Sequence, residues 1–247
     1  YEEGSYGEGL TEAIDQAFAG DEDLFTRIAF ADSSEIASVT EEAIAEDLPE
    51  EVVFITSSVD SVSSFLSAAA ELHPYMGMGI FLADAAYNQE IYDALADSKA
   101  EELFDQIRGT RPTIDMESDV LDAFKAEYES QFDGEDPTTS GFSAYAYDAA
   151  WLAIYGSAWA HYREDGLNGL NMARGLRRIS EGDEVSIQRI SWNEVRAAFM
   201  VGSSVDIVGA SGQLDYNLQD CETSAPIEIW NLSQEDNWVL TTVEIVE

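Results

Sequence analysis

The stretch SAYAYDAAWLAIYG, Ser143–Gly156, runs on to Tyr162 with only Asp148 and His161 able to carry charge. Tyr147, Trp151, Ile154, Tyr155 and Ala158 recur at helical spacing, and alanines fill much of the remaining circumference. A helix apolar on most of its surface is expected to be buried, in a protein core or in lipid. Lipid is the weaker fit. Asp148 would sit near mid-span at a cost of about 2.5–3.5 kcal/mol, and four Tyr, two Ser and a Gly stand where a membrane helix carries Leu, Ile and Val. The stretch therefore predicts a central helix in a sizeable α/β domain, and no direct membrane insertion by this chain.

Outward from this helix, strands and helices alternate. Thr26–Phe30, Val52–Ile55 and Gly79–Leu82 are short apolar runs, the last two typical of strands buried on both faces of a parallel sheet. Between and around them, Tyr6–Gly20, Ser33–Glu46, Asp60–Leu72 and Ala86–Leu95 carry helical periodicity, with Gly20, Leu48-Pro49 and His73-Pro74 as stops. Three alternations in under 100 residues predict a doubly wound parallel sheet. The remainder reads as more helical. Ser118–Phe132, Leu167–Ile179 and Ser191–Met200 are predicted helices, the last opened by a capping box Ser191–Glu194, and Ile227–Trp230 with Trp238–Ile245 form a terminal β-hairpin.

Composition bounds the function. The 247 residues hold 50 acids against 11 bases, a net charge of −39, and Lys99 and Lys125 are the only lysines. Such a surface repels phosphate backbones and anionic membranes, so no nucleic-acid partner is expected. A saline habitat and a simple acidic bias both fit this charge. Hydrophobic content of 45% supports a core. Cys221 is the single cysteine, which excludes an internal disulfide and a thiolate metal site.

Catalytic signatures are missing: the chain has no G-x-S-x-G, H-E-x-x-H, C-x-x-C or P-loop. With 50 acids, close carboxylate pairs arise by chance and nominate no acid/base dyad. Asp133-Gly134-Glu135-Asp136 lacks EF-hand spacing and reads as a solvated loop. Neither an enzyme, a cofactor nor a metal is expected. Gly7-x-Gly9 before a helix lacks the third glycine of a dinucleotide fingerprint, since Glu12 stands there. Open α/β sheets bind ligands at the carboxyl ends of their strands. Two loops there stand out: Thr56-Ser57-Ser58, whose hydroxyls and amides can meet a polar group or cap a helix, and Ala83-Asp84-Ala85, whose carboxylate can meet a ligand or cap a helix.

Three motifs in order carry a resemblance: Tyr6-Gly7-Glu8-Gly9-Leu10, YAYDAAWLA from Tyr145, and Gly209–Tyr216 (GASGQLDY) followed by Pro226–Leu232 (PIEIWNL). Together they resemble the type I periplasmic binding proteins, and more closely the branched-chain amino-acid (Leu/Ile/Val) binding family of ABC transporters. The resemblance implies lobe 2 at 1–113 and 218–247, and the C-terminal portion of lobe 1 at 114–217, with crossovers near Thr110–Ile114 and Asp215–Leu218. It also implies an incomplete fold, a fragment lacking the export signal and the N-terminal part of lobe 1, with apolar surface exposed around the central helix.

The implied function is a periplasmic or extracellular solute-binding protein that closes two lobes on a small polar ligand, an amino acid or similar, and delivers it to an ABC permease. A ligand-sensing domain of a receptor or regulator with the same fold is the alternative. The implied ligand-binding residues are Asp84 on the ligand ammonium, Tyr6 lining the cleft, Ser57 and Ser58 on polar groups, and Phe142 near a cleft aromatic. Ser58 departs from the family, which often has an aromatic residue there, and this leaves side-chain specificity open.

The charge generates a prediction. Self-repulsion among about 39 uncompensated negative charges is screened as the Debye length falls to about 3 Å at 1 M salt. The thermal midpoint is expected to rise from low salt to molar KCl. An unchanged midpoint would show that self-repulsion does not govern the stability of this chain.

Overall fold

A computed structural model describes residues 1–18, 25–45, 48–114, 116, 118–139, 142–217, 226–234 and 237–246. The expected helix stop at Gly20 and the single Cys221 lie outside the described residues. In chain order the elements are α1 (Ser5–Ala17), α2 (Ile36–Glu42), β1 (Glu51–Phe54), α3 (Val59–Ala70), β2 (Gly79–Leu82), α4 (Gln89–Leu95) and β3 (Ile107–Pro112). There follow α5 (Asp119–Gln131), α6 (Phe142–Arg163), α7 (Gly169–Leu176), β4 (Asp183–Ser186), α8 (Trp192–Val201), β5 (Val205–Val208), and the pair β6 (Ile227–Gln234) and β7 (Trp238–Val246). The chain divides into two compact units: Tyr1–Arg111 with Ile227–Val246, and Pro112–Pro226.

The first unit is built on a five-stranded sheet of order β1-β2-β3-β6-β7. β1, β2 and β3 are parallel, with Val52 opposite Ile80 and Ile80 opposite Ile107, whereas β6 and β7 form the expected antiparallel hairpin. Crossover helices α3 and α4 follow β1 and β2, as parallel pairing demands. Phe30, Phe54 and Phe65 stack in succession with centroids 5.4 and 4.2 Å apart. Tyr92, Phe104 and Trp230, all fully buried, extend the same core.

Two departures from the sequence reading concern this sheet. Thr26–Phe30 is not a strand: Phe30 alone bridges Glu2. On the other side of that bridge, Glu3 is followed at once by Gly4, the N-cap of α1, so the pairing cannot run on past Glu3. β3 was not legible as a strand, because Ile107 and Gly109 share its sequence with two arginines. A Cβ at Gly109 would collide with the Trp230 indole, so the missing side chain on β3 is the space that the tryptophan fills.

In the second unit β4 and β5 form a parallel pair beside α6 and α8. Val185, Ile187, Ile207, Val195 and Phe199 pack with Tyr155 and Trp159 of α6. The 22-residue α6 is not buried all round as its composition suggested. Tyr155, Ala158 and Trp159 face the core, while Ala146, Ala149, Ala150, Ala153 and Ile154 are exposed, Ile154 at 45%. The exposed face is mostly alanine, which favours a helix and leaves little apolar area in water. Ser191 forms no side-chain cap on α8. The 3-10 turn Arg189–Ser191 already holds it in a helical conformation (φ −78°, ψ −8°), so its hydroxyl is not aimed at the first free amides.

Asp148, 2% exposed, joins α6 to the turn after β5. Its carboxylate accepts from the Ala210 amide (2.8 Å), the Ser211 amide (2.7 Å) and the Ser211 hydroxyl (2.6 Å). A Cβ at Gly209 would collide with this carboxylate, so the turn can approach only with glycine there. Burial pushes the Asp148 carboxyl above its ordinary range, and the three donors act against that rise. Asp148→Ala strands three donors. It should lower stability by about 3 kcal/mol in urea unfolding, and Asp148→Asn, which keeps an acceptor, should lower it less. A loss within about 0.5 kcal/mol for the alanine variant, the range of surface substitutions, would show that the clamp carries no stability.

Candidate functional site

Because β1 and β2 run parallel, the loops that leave them open on one edge of the first unit's sheet. The loop after β1 is Ile55–Ser58. Ser58, extended at φ −107° and ψ 120°, is the N-cap of α3, its hydroxyl accepting from the Ser61 amide at 3.2 Å. Its own amide donates to the Thr56 hydroxyl oxygen at 3.1 Å. Of the two serines proposed from sequence, Ser58 is thus engaged in capping, and Ser57 faces outward.

Ser57 and Thr56 are held by a residue that the sequence did not single out. Glu2 Oε2 accepts from the Thr56 hydroxyl (2.8 Å), the Ser57 amide (2.9 Å) and the Ser57 hydroxyl (3.1 Å). These donors, the Ser57 backbone amide first, hold the Glu2 carboxyl below its ordinary range, which keeps it ionised at neutral pH. Glu2 is placed by its backbone: its amide donates to the Ile55 carbonyl at 2.9 Å, and the flanking Tyr1 and Glu3 exchange hydrogen bonds with Phe30. A side chain at position 7 would strike the Glu2 carbonyl, so Gly7 is what lets α1 start directly above this segment. One of fifty acids, Glu2 carries no local signal; only its place beside β1 distinguishes it.

The loop after β2 holds Asp84 at the start of a 3-10 turn, Asp84–Ala86. Its side chain is not a cap, since Ala83 occupies the cap position and no side-chain cap bond forms there. Asp84 Oδ1 instead accepts from the Tyr6 hydroxyl, which reaches it from the first turn of α1. Two residues proposed from separate parts of the sequence therefore meet in space. Burial first, and then the Asp84 carboxylate, push the Tyr6 phenol well above its ordinary range.

At the end of β3, Arg111 lies 3.4 Å from the Tyr87 ring centroid and its Nε donates to the buried Glu228 at 2.7 Å. Glu228 also accepts from the Thr242 hydroxyl at 2.5 Å. The Arg111 charge is thus neutralised inside the sheet. Phe142 belongs to the second unit, where it is the first residue of α6 and exposed at 56%.

Along the first unit's edge, the hydroxyl and amide donors of Tyr6, Thr56 and Ser57 are spent on Asp84 and Glu2. No donor among the described residues is placed on the second oxygens of those two carboxylates, which are the acceptors left over. Among the described residues no group of three or more His, Cys, Asp or Glu is placed to hold a metal, and no helix is long and apolar enough to cross a membrane. Asp136 of the acidic loop accepts from Lys125 at 2.8 Å and from Thr138, which hold its carboxyl down at about 2.

A parallel sheet with crossover helices, resumed by a hairpin after a second α/β unit, is the type I periplasmic binding protein fold, and this chain has it. Among solved structures it is similar to a fatty acid ABC transporter substrate-binding protein from Thermomonospora curvata, at TM-score 0.59 and 15% identity over 99% of this chain and 55% of that one. It is also similar to an ABC transporter substrate-binding protein from Desulfitobacterium hafniense, at TM-score 0.50 and 11% identity over 98% and 58%. A putative branched-chain amino acid ABC transporter protein from Rhodospirillum rubrum matches at TM-score 0.47 and 12% identity over 86% and 50%. The chain thus spans between half and three fifths of the length of these structures. No family model matches the sequence, and no curated protein matches it in sequence.

The Tyr6–Asp84 pair is open to direct titration. In a tyrosine ring-carbon NMR titration, the Tyr6 resonance should stay unmoved past pH 10, the ordinary phenol value. In Asp84→Ala it should titrate at lower pH, because one of the causes of the rise is gone. An unchanged Tyr6 midpoint in that variant would show that the two groups do not interact in solution.

Proposed function

We propose that the chain is part of an extracytoplasmic solute-binding protein of an ABC transporter, a non-enzymatic receptor that takes a small polar ligand bearing an amine and hands it to a membrane permease. The ligand class within this reading is an amino acid or a close relative of one. The fold shared with ABC-transporter substrate-binding proteins supports the transport role. The observation that carries the ligand reading is Asp84, held at the carboxyl edge of the sheet with Tyr6 on one oxygen and the other left over for a donor. Ala83, Ala85 and Ala86 flank it, so a ligand can approach without displacing bulk. An ammonium bound there would form a charge-assisted hydrogen bond, stronger than an exposed ion pair once water is excluded. Tyr6 orients the carboxylate, and Ser57 lies on the loop that leaves the neighbouring strand β1.

Calorimetry with the twenty amino acids tests the reading. Asp84→Ala should cost roughly 2–5 kcal/mol of binding, one to several decades in Kd, with the thermal midpoint of the free protein nearly unchanged. Tyr6→Ala should cost less. An Asp84→Ala variant that binds like the parent would remove Asp84 from the site and point to ligands without an amine.

A further inference from the structure

We propose that Glu2 is the resident anion of the loop that ends β1, and that it determines specificity by closing this loop to a ligand's carboxylate. The inference deepens the reading of this edge as a ligand wall and rests on it. Thr56 and Ser57 supply what a bound carboxylate needs: a hydroxyl, a backbone amide and a second hydroxyl, converging at 2.8, 2.9 and 3.1 Å. All three converge on one oxygen of Glu2. That oxygen is not there by a chance rotamer of a surface side chain. The Glu2 backbone is hydrogen-bonded to Ile55 on one side, and its neighbours to Phe30 on the other, so the carboxylate is delivered from a backbone segment held on both sides. Gly7 removes the one side chain that would push this segment away.

The consequence concerns ligand chemistry. A ligand carboxylate arriving at this edge meets donors already saturated, two fixed negative charges at Glu2 and Asp84, and a chain whose net charge is −39. Arg111, at the end of β3, is committed to Glu228. A ligand donor, by contrast, meets the leftover oxygens of two carboxylates. The first unit therefore accepts ammonium or amide groups and rejects the head group of a fatty acid. Any carboxylate of an amino-acid ligand must be held by other residues.

An NMR titration of the full chain tests this without the natural ligand, so its outcome is separable from the transport reading. Sodium acetate and sodium pentanoate are added against sodium chloride at equal ionic strength, and the Ser57 and Thr56 amides are followed. The parent protein should show no saturable shift beyond the chloride control. Glu2→Ala empties the loop, and the same amides should then shift saturably with either carboxylate, at least about tenfold tighter than any response of the parent. Glu2→Gln keeps the packing and one acceptor but loses the charge, so a weaker saturable shift is expected; it decides the matter if the alanine variant does not fold. Saturable carboxylate binding at Ser57 in the parent, or none in either folded variant, overturns the proposal.

Discussion

Parallel pairing of β1, β2 and β3 is the constraint on which the candidate site depends. Parallel strands must each be followed by a crossover, and the loops that begin those crossovers all leave the same edge. Loops separated by nearly thirty residues are thereby brought side by side with their backbone amides and helix starts pointing outward. Nothing in Thr56-Ser57-Ser58 or Ala83-Asp84-Ala85 would form a site alone. Each is a short polar loop of a kind that caps helices, and Ser58 does cap one.

The same economy of polar groups governs both units. In the first, Glu2 and Asp84 absorb the donors of Thr56, Ser57 and Tyr6, and Arg111 is absorbed by Glu228 within the sheet. In the second, Asp148 absorbs the amides of the turn after β5. Buried or half-buried carboxylates are costly unless their lone pairs are met by donors. A chain with 50 acids and 11 bases can meet few of them with cations, as it does Glu228 with Arg111. It uses backbone amides and hydroxyls instead, which neutralise nothing and leave the charge in place. The result is a sheet edge where carboxylates, and not donors, are left over.

Asp148 also explains why two of the sequence motifs that suggested the fold occur together. The aspartate of YAYDAAWLA and the turn of Gly209–Gly212 are the two halves of one contact, 62 residues apart for Ala210 and 63 for Ser211. The glycine is required by the carboxylate that passes over it, and the serine hydroxyl supplies the third donor. Recognition from short motifs works here because each motif records one side of a physical interface.

The sequence by itself determined the fold class, the helices α1 to α8, the strands β1 and β2, and the terminal hairpin. Each of these is announced by a period of apolar residues or a stop signal within a few positions, which is local information. It also singled out Asp84, since a strand end followed by a helix start can be located from such patterns, and Tyr6 through the resemblance that its YGEGL motif carries. It could not show that these two residues touch, because 78 positions separate them and only the sheet's order brings α1 over the end of β2. Strands β3, β4 and β5 were illegible for a related reason: β3 and β4 are largely polar and β5 is only four residues long, so they are strands only because partners lie alongside, Gly109 beneath Trp230 being the clearest case. Glu2 is the extreme of this kind. As a letter it is one acid among fifty, and only the pairing of its backbone between Phe30 and Ile55 delivers its carboxylate to Ser57. The tertiary structure alone decided which acid fills that loop.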